Sequence, residues 1–184
     1  MKNYFTWFTI QLLILLTVNV VAVAQEEIPS RCWHEELDEL SFLEGAWTFD
    51  SNVRLGNGVW ERDTSQSIIK TDFQNCMYSE TIVGKRQGHA FEARSHFTYN
   101  AIAKRYQKLW IDSEHGSMIL YEGGKDEAGV WIFETEIAFG ERVVKFRHQY
   151  TIENADSFSM QSQRSPDGGK SWITTWEVQY KRQQ

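Results

Sequence analysis

The sequence is poor in proline and has no surplus of basic residues. Two of its 184 residues are proline and 12 are glycine, which excludes collagen-like and low-complexity architectures. Lys and Arg number 19 against 25 Asp and Glu, so the formal net charge is −6. A nucleic-acid-binding domain normally carries a basic surplus, and we therefore expect no nucleic-acid partner. The hydrophobic fraction of 41% and the aromatic fraction of 14% exclude a disordered chain.

Motifs for catalysis and metal binding are also missing from the sequence. It contains no nucleophile elbow, phosphate-binding loop, HExxH motif or EF-hand loop. The five histidines are scattered and the two cysteines form no C-x-x-C pair, which argues against a metal site. We therefore predict no catalytic residue, metal or cofactor. The sequence leaves open whether the protein is an enzyme and favours a non-enzyme.

One long apolar run, residues 4–21, follows Lys2 near the N-terminus and precedes Ala22-Val23-Ala24. Small residues at positions −3 and −1 before a polar stretch are typical of a secretory signal that is cleaved. We predict a signal peptide over residues 1–24 and one domain over residues 25–184, with an uncleaved membrane anchor as the alternative. Because no second long apolar run follows, we expect a protein exported to the periplasm or the medium, without stable membrane insertion.

The two cysteines, Cys32 and Cys76, lie 44 positions apart. Export would place them in an oxidising compartment, where disulfides persist. One pair allows one connectivity, which would tie the N-terminal segment to the third predicted strand. In the chain-entropy model, closing a loop of about 45 residues contributes roughly 4 kcal/mol. We predict a structural disulfide, with two buried free thiols as the alternative.

Hydrophobic periodicity predicts a short helix followed by many short strands. Leu37, Leu40 and Leu43 recur at helical spacing and predict a helix from Cys32 to Leu43. From Gly45 onward, apolar and polar residues alternate in runs that glycine-rich turns separate. We count nine or ten strands and no helix-length crossover, which indicates an antiparallel meander. Closure would remove its open edges, so we predict an all-β, up-and-down barrel with a short N-terminal helix.

A G-x-W triplet, Gly45-Ala46-Trp47, opens the first predicted strand directly after the helix. It resembles the motif of lipocalins and the wider calycin group, in which the tryptophan crosses the barrel floor. In that group a basic residue near the last strand covers the tryptophan. The resemblance therefore assigns Trp47 to the floor and leaves Lys181 or Arg182 as the residue that covers it.

Residues 32–182 resemble a family of uncharacterised bacterial secreted proteins with a lipocalin-like barrel. The motifs that carry this resemblance are FLEGAW at 42–47, NCMYSE at 75–80, YQKLWIDS at 106–113, EGG at 122–124 and SPDGGKSW at 165–172. The resemblance implies the barrel fold and export, and it transfers no activity.

Residues 165–172 also fit the Asp-box pattern S-x-D-x-G-x-[ST]-W. In this pattern Asp167 is expected to accept hydrogen bonds from the turn, Gly169 to adopt a positive φ and Trp172 to fold back on the hairpin. Sialidases and related propellers carry several such boxes, and a single box disfavours that fold. We interpret the motif as the brace of a hairpin.

Lys108, Trp110 and Asp112 share one face of a predicted strand. If this face points inward, an aromatic ring flanked by a cation and a carboxylate fits a ligand cavity with a few polar groups. The alternative orientation places Leu109 and Ile111 in the core. A charge inside a barrel needs a partner, which makes further charged residues candidates as well. The additional candidates for the ligand site or the barrel interior are Glu80, Arg147, Trp60, Trp131, Trp176 and Tyr180.

These patterns predict a protein that binds a small, largely apolar molecule inside the barrel. A haem-binding barrel that uses His148 or His96 is a variant of this hypothesis. One alternative is a filled barrel that acts as a cell-envelope interaction module through an exposed apolar patch. The other is a small-molecule enzyme, which predicts a cavity group that titrates near neutral pH.

Overall fold

The computed structural model describes Cys32 and residues 34–184, and the predicted signal peptide, residues 1–24, lies outside this described part. A 3₁₀ helix, Glu35–Leu43, precedes ten strands. The strands are β1 Gly45–Arg54, β2 Trp60–Asp72, β3 Met77–Arg86, β4 His89–Asn100, β5 Arg105–Asp112, β6 Ile119–Lys125, β7 Trp131–Phe139, β8 Arg142–Asn154, β9 Ser157–Ser165 and β10 Ile173–Arg182. No helix in the described part is long and apolar enough to cross a membrane.

The ten strands form a closed antiparallel barrel in which each strand pairs with the next. The last strand returns to the first, and β1 pairs with β10 from Trp47–Arg182 to Val53–Trp176. Closure satisfies the backbone hydrogen-bonding groups that two open edges would otherwise expose. The prediction of an all-β, up-and-down barrel with a short N-terminal helix is confirmed.

Alternation with a period of two directs every second side chain into the barrel. In β4, for example, Phe91, Ala93, Ser95 and Phe97 are buried while their neighbours are partly or fully exposed. Large rings fill much of the interior, particularly toward the helix. The fully buried aromatic side chains are Trp47, Phe49, Phe91, Phe97, Trp131, Phe133, Tyr150, Phe158 and Tyr180.

The helix closes one end of the barrel, which we call the floor, and buries its three leucines there. Trp47 is fully buried at the floor and donates from Nε1 to the carbonyl of Leu43 at 2.8 Å. Arg182 is its register partner on β10, and the guanidinium lies 4.1 Å from the centre of the Trp47 ring. Lys181 points to the outer face, where it approaches Asp50 at 3.7 Å. The basic residue that covers Trp47 is therefore Arg182.

The predicted disulfide between Cys32 and Cys76 is confirmed, with the two Cα atoms 5.4 Å apart. Cys76 directly precedes β3, and its carbonyl accepts a hydrogen bond from Thr98 Oγ1 at 2.8 Å. The bridge therefore ties the segment before the helix to the turn between β2 and β3.

The Asp-box motif forms the hairpin between β9 and β10. Asp167 accepts hydrogen bonds from the Ser165 hydroxyl at 2.7 Å, the Ser171 backbone amide at 2.9 Å and the Ser171 hydroxyl at 2.6 Å. Gly169 has φ +97°, a value that favours glycine. Trp172 lies beneath the guanidinium of Arg147, which is 4.0 Å from its ring centre.

Candidate functional site

The end of the barrel opposite the floor carries a depression of about 660 Å³, which we call the mouth. It lies between the ends of β1, β3 and β5 and the starts of β4 and β10. Its lining includes Arg54, Arg86, His89, Glu114, His115 and Thr175. The volume falls within the range of roughly 300–1,000 Å³ that small-molecule sites occupy.

Arg86 points inward at the end of β3 and lies on two aromatic rings below the mouth. Its guanidinium carbon is 4.9 Å from the centre of the Trp176 ring and 5.5 Å from that of Phe91. Nη1 pairs with Glu114 at 3.2 Å, and the Arg86 side chain is 17% exposed. The buried Nε of Arg86 and the buried Nε1 of Trp176 have no hydrogen-bond partner among the described residues.

Strand β5 directs Lys108, Trp110 and Asp112 into the barrel, where they are 0%, 5% and 8% exposed. The alternative orientation, with Leu109 and Ile111 in the core, is therefore wrong.

Asp112 is the polar group nearest the mouth on β5, and its carboxylate is well supplied with donors. It accepts hydrogen bonds from Trp110 Nε1 at 2.8 Å and from the backbone amides of Glu114 and His115 at 3.0 and 2.8 Å. Burial opposes ionisation of Asp112, but the hydrogen bonds from Trp110 and His115 outweigh it and lower the pKa of this carboxyl.

Lys108 lies deeper in the barrel, within an aromatic layer. Its Nζ donates to Nδ1 of His148 and to the hydroxyl of Tyr150, both at 2.6 Å. The centre of the Trp110 ring is 5.0 Å from this nitrogen. Burial lowers the pKa of Lys108 to about 7, although the negative charge of Glu80 opposes the shift.

His148 is held neutral by the same arrangement. Burial, followed by the neighbouring charge of Lys108, places its pKa well below the usual value. Because Nδ1 accepts from Lys108, the ring proton belongs on Nε2. His96 lies instead on the outer face of β4, where its Nδ1 is 3.0 Å from the Ser79 hydroxyl.

Glu80 is a second buried carboxylate of the interior, besides Asp112. It is 1% exposed, and Oε1 accepts from the Ser67 hydroxyl at 2.8 Å and the Tyr180 hydroxyl at 3.0 Å. Burial, and then the charge of Glu80, raise the pKa of Tyr150 and of Tyr180 well above the usual value. The Glu80 carboxylate and the Lys108 amine are therefore each hydrogen-bonded to a neutral tyrosine hydroxyl.

Two residues predicted for the interior lie elsewhere. Trp60 is 41% exposed at the first position of β2 and points outward. Arg147 alternates with His148 on β8, so it lies on the outer face, where Nε donates to Gln163 at 2.6 Å. Glu80 and Arg147 therefore do not meet.

Two predicted tryptophans lie inside, and one important residue was missed. Trp131 is fully buried near the floor, 4.7 Å from Tyr106 between ring centres, and Trp176 lies below the mouth. Arg86 was not predicted, although it lies six positions after Glu80 on β3 and therefore points to the same face of the strand. This alternation could have identified Arg86 as an inward-pointing residue from the sequence.

Asp112, Glu114 and His115 have ligand atoms within 4.8 Å of one another, close enough to hold a metal ion. Their charges are already balanced by protein groups, because Glu114 pairs with Arg86 and Asp112 accepts from three N–H donors. The positive charge of Arg86 would also oppose a cation at this position.

A second depression, of about 260 Å³, lies on the outer face of β3 to β6. Its lining is mainly apolar and includes Phe73, Met77, Leu109 and Leu120. Phe73 is 70% exposed and Leu120 is 49% exposed. We call this feature the outer groove.

Comparison with known protein families shows to which family the chain belongs. Residues 34–182 match the family described as "Protein of unknown function (DUF1579)", and the chain belongs to this family. No curated protein matches the sequence.

Among solved structures, the chain is similar to the S-type phycobiliprotein lyase CPES from Guillardia theta. The TM-score is 0.54 at 13% identity, over 83% of this chain and 99% of that chain. A redesigned β-barrel aligns with a TM-score of 0.43 at 14% identity, over 78% of this chain and 94% of that chain. The likeness to the lyase supports the barrel fold.

Proposed function

We propose that this DUF1579 family member is an exported protein that binds a small, largely apolar molecule. The ligand enters at the mouth and occupies the half of the barrel nearest to it. The signal pattern in residues 1–24 supports export, and the disulfide is consistent with an oxidising compartment. The mature protein is one domain over residues 25–184.

The observation that carries this proposal is a set of buried polar atoms without partners. Among the described residues these are Arg86 Nε, Trp176 Nε1 and Ser95 Oγ, together with Trp131 Nε1 near the floor. Trp176 lies below the mouth, and Ser95 on β4 is the cross-strand partner of Trp110 on β5. Because buried polar atoms in folded proteins are nearly always hydrogen-bonded, the unpartnered atoms of Arg86, Trp176 and Ser95 are suited to a molecule that enters from the mouth.

The surrounding rings supply the apolar part of the site. Trp176 lies 5.7 Å from Trp110 and 6.3 Å from Phe91 between ring centres, with the rings tilted toward one another. An apolar body placed against these faces leaves water, and this desolvation drives binding. The unpaired N–H and O–H groups then orient the polar atoms of the ligand.

Native mass spectrometry of protein exported through its own signal tests this function directly. We expect a mass excess that organic extraction removes.

A second test titrates the protein with the neutral apolar fluorophore N-phenyl-1-naphthylamine. The variant Trp110→Phe should weaken binding by at least about threefold, since it removes part of the apolar wall.

Trp60→Phe is the matched control, because Trp60 lies on the outer face. It should bind the fluorophore as the original protein does. Near-UV circular dichroism shows whether each variant is folded. A protein without a co-purified molecule that also fails to bind the fluorophore would contradict the proposed function.

The outer groove favours a second candidate, a barrel that acts as an interaction module. Exposed Phe73 and Leu120 provide an apolar surface of the kind that docks a partner. This candidate predicts a bare mature mass and an assembly that Leu120→Lys dissociates, measured by size-exclusion chromatography with light scattering.

A further inference from the structure

The mouth carries a small excess of positive charge in an otherwise acidic protein. Arg54, Arg86, His89 and His115 line it, and Glu114 is the acidic residue of the same lining. The whole chain has a formal net charge of −6. With the histidines counted as neutral, Arg54 and Arg86 against Glu114 leave this lining with one excess positive charge, and this local excess favours an anion at the mouth.

Arg86 is held in a fixed orientation at this position. Its guanidinium lies over Trp176 and near Phe91, so its plane is supported by apolar faces. The side chain is largely withdrawn from solvent, where an ion pair is stronger than in bulk water. A guanidinium fixed in this way is pre-organised to receive an anion.

The hydrogen-bonding capacity of Arg86 is only partly used. Nη1 pairs with Glu114 at 3.2 Å, and Nε has no partner among the described residues. A guanidinium has five N–H donors arranged as a fork, and a carboxylate or sulfonate can accept two of them at once. The fork therefore retains capacity for an anionic group from outside the chain.

A ligand can displace Glu114 from its ion pair with Arg86. It lies in the turn after β5, and its side chain is 34% exposed. Because Glu114 is partly exposed, water can hydrate its carboxylate once a ligand displaces it, which lowers the cost of the displacement. Glu114 thus neutralises Arg86 until a competing anion enters.

We propose that the mouth selects small amphipathic anions. Their carboxylate or sulfonate group pairs with Arg86 in place of Glu114, while their apolar body lies against Trp176 and Trp110. This inference rests on the proposed function and adds the charge class of the ligand.

Two fluorophores that differ only in charge test this selection. N-phenyl-1-naphthylamine is neutral, and 1-anilinonaphthalene-8-sulfonate is the same molecule with a sulfonate. We expect the folded protein to bind the anion at least about tenfold more tightly, as hydrogen bonds to a charged group predict. Arg86→Met should remove this preference, because it should lower affinity for the anionic probe far more than affinity for the neutral probe.

Glu114→Gln should act in the opposite direction. It releases Arg86 and removes a like charge, so affinity for the anionic probe should rise about threefold or more, with no gain for the neutral probe. Arg62→Met is the matched control, because Arg62 is an exposed outer arginine paired with Asp50 at 3.5 Å. It should leave both affinities unchanged.

The outcomes separate this inference from the proposed function. Equal affinity for the two probes, or an anion preference that survives Arg86→Met, would overturn the inference while ligand binding stands. Failure to bind either probe would overturn both. If Arg86→Met does not fold, Arg86→Lys replaces it, since lysine keeps the charge and loses the planar fork; the anion preference should then fall.

Discussion

Lys108 places an amine within an aromatic layer of the barrel, where ionisation is costly. Its two hydrogen bonds to His148 and Tyr150 satisfy donors, but neither partner carries a negative charge at neutral pH. Glu80 supplies the opposing charge. Burial of the Lys108 charge costs more free energy than its attraction to Glu80 returns, so Lys108 should make folding depend on pH.

The direction of this pH dependence follows from the pKa of Lys108 in the two states. The pKa is about 7 in the folded protein, and about 10.4 is expected in the unfolded chain. Between these values the unfolded chain binds more protons, so stability should rise as the pH increases from about 7 to about 10. The slope can reach about 1.4 kcal/mol per pH unit.

Lys108→Met tests this dependence. The difference in unfolding free energy between variant and original should move in favour of the original as the pH rises from 7 to 10, measured by urea denaturation. The variant also loses the hydrogen bonds to His148 and Tyr150. This loss changes its unfolding free energy at every pH and does not produce the trend. Lys70→Met removes an exposed lysine and should keep the original profile. A Lys108→Met profile parallel to the original would contradict the prediction.

The sequence predicts whether a side chain points into the barrel where the alternation along its strand is followed strictly, and the prediction failed where it was not. The alternation of β8 places His148 and Tyr150 inside and therefore Arg147 outside, so the prediction of an interior Arg147 was wrong on the sequence pattern itself. The same alternation, counted from Glu80 along β3, would have indicated that Arg86 points inward. The meeting of Lys108 with His148 could not be predicted, because β5 and β8 are not neighbours in the sheet.

At the scale of elements, the leucine spacing explains the type of the helix. Leu37, Leu40 and Leu43 are separated by three residues each, and all three are buried. A 3₁₀ helix has three residues per turn, so this spacing aligns the leucines on one face, whereas an α-helix would rotate them apart. The sequence contained this signal, although the prediction specified only a short helix that began three residues earlier.

The hairpin between β9 and β10 depends on the ionised carboxylate of Asp167. Three hydrogen bonds from Ser165 and Ser171 converge on it, and the hydroxyl of Ser171 leads the contacts that hold the pKa of Asp167 below its usual range. A depressed carboxyl pKa stabilises the folded hairpin above the unfolded pKa, near 3.9, and this contribution is lost as the pH falls through the folded pKa.

Asp167→Ala should therefore increase hydrogen exchange at the Ser171 amide, which loses its acceptor. Exchange at β4 and β5 amides should remain as in the original protein. Asp126→Ala is the matched control, because Asp126 accepts from the amides of Ala128 and Val130 in a different turn. Unchanged protection of Ser171 in folded Asp167→Ala would show that the brace does not depend on this carboxylate.

At the scale of the whole molecule, the fold was predictable because closure satisfies every strand edge. Nine or ten alternating runs without a crossover permit few arrangements, and a barrel is the one that removes both open edges. The filling of that barrel depends on how ring volumes meet in three dimensions. The tight packing of Phe158 against Tyr180, with ring centres 4.2 Å apart, joins β9 to β10 at the floor and has no local sequence signal.

The disulfide and the predicted signal together make a prediction about the mature chain. Protein exported through its own signal should have the mass of residues 25–184, lighter by the two hydrogen atoms lost when Cys32 and Cys76 join. Intact mass spectrometry before and after reduction measures both features. The paired variant Cys32→Ser with Cys76→Ser should lose up to about 4 kcal/mol of stability, since the unfolded chain regains its loop entropy. A mass of all 184 residues would mean that the apolar run remains as an anchor, and free thiols in exported protein would contradict the oxidising compartment.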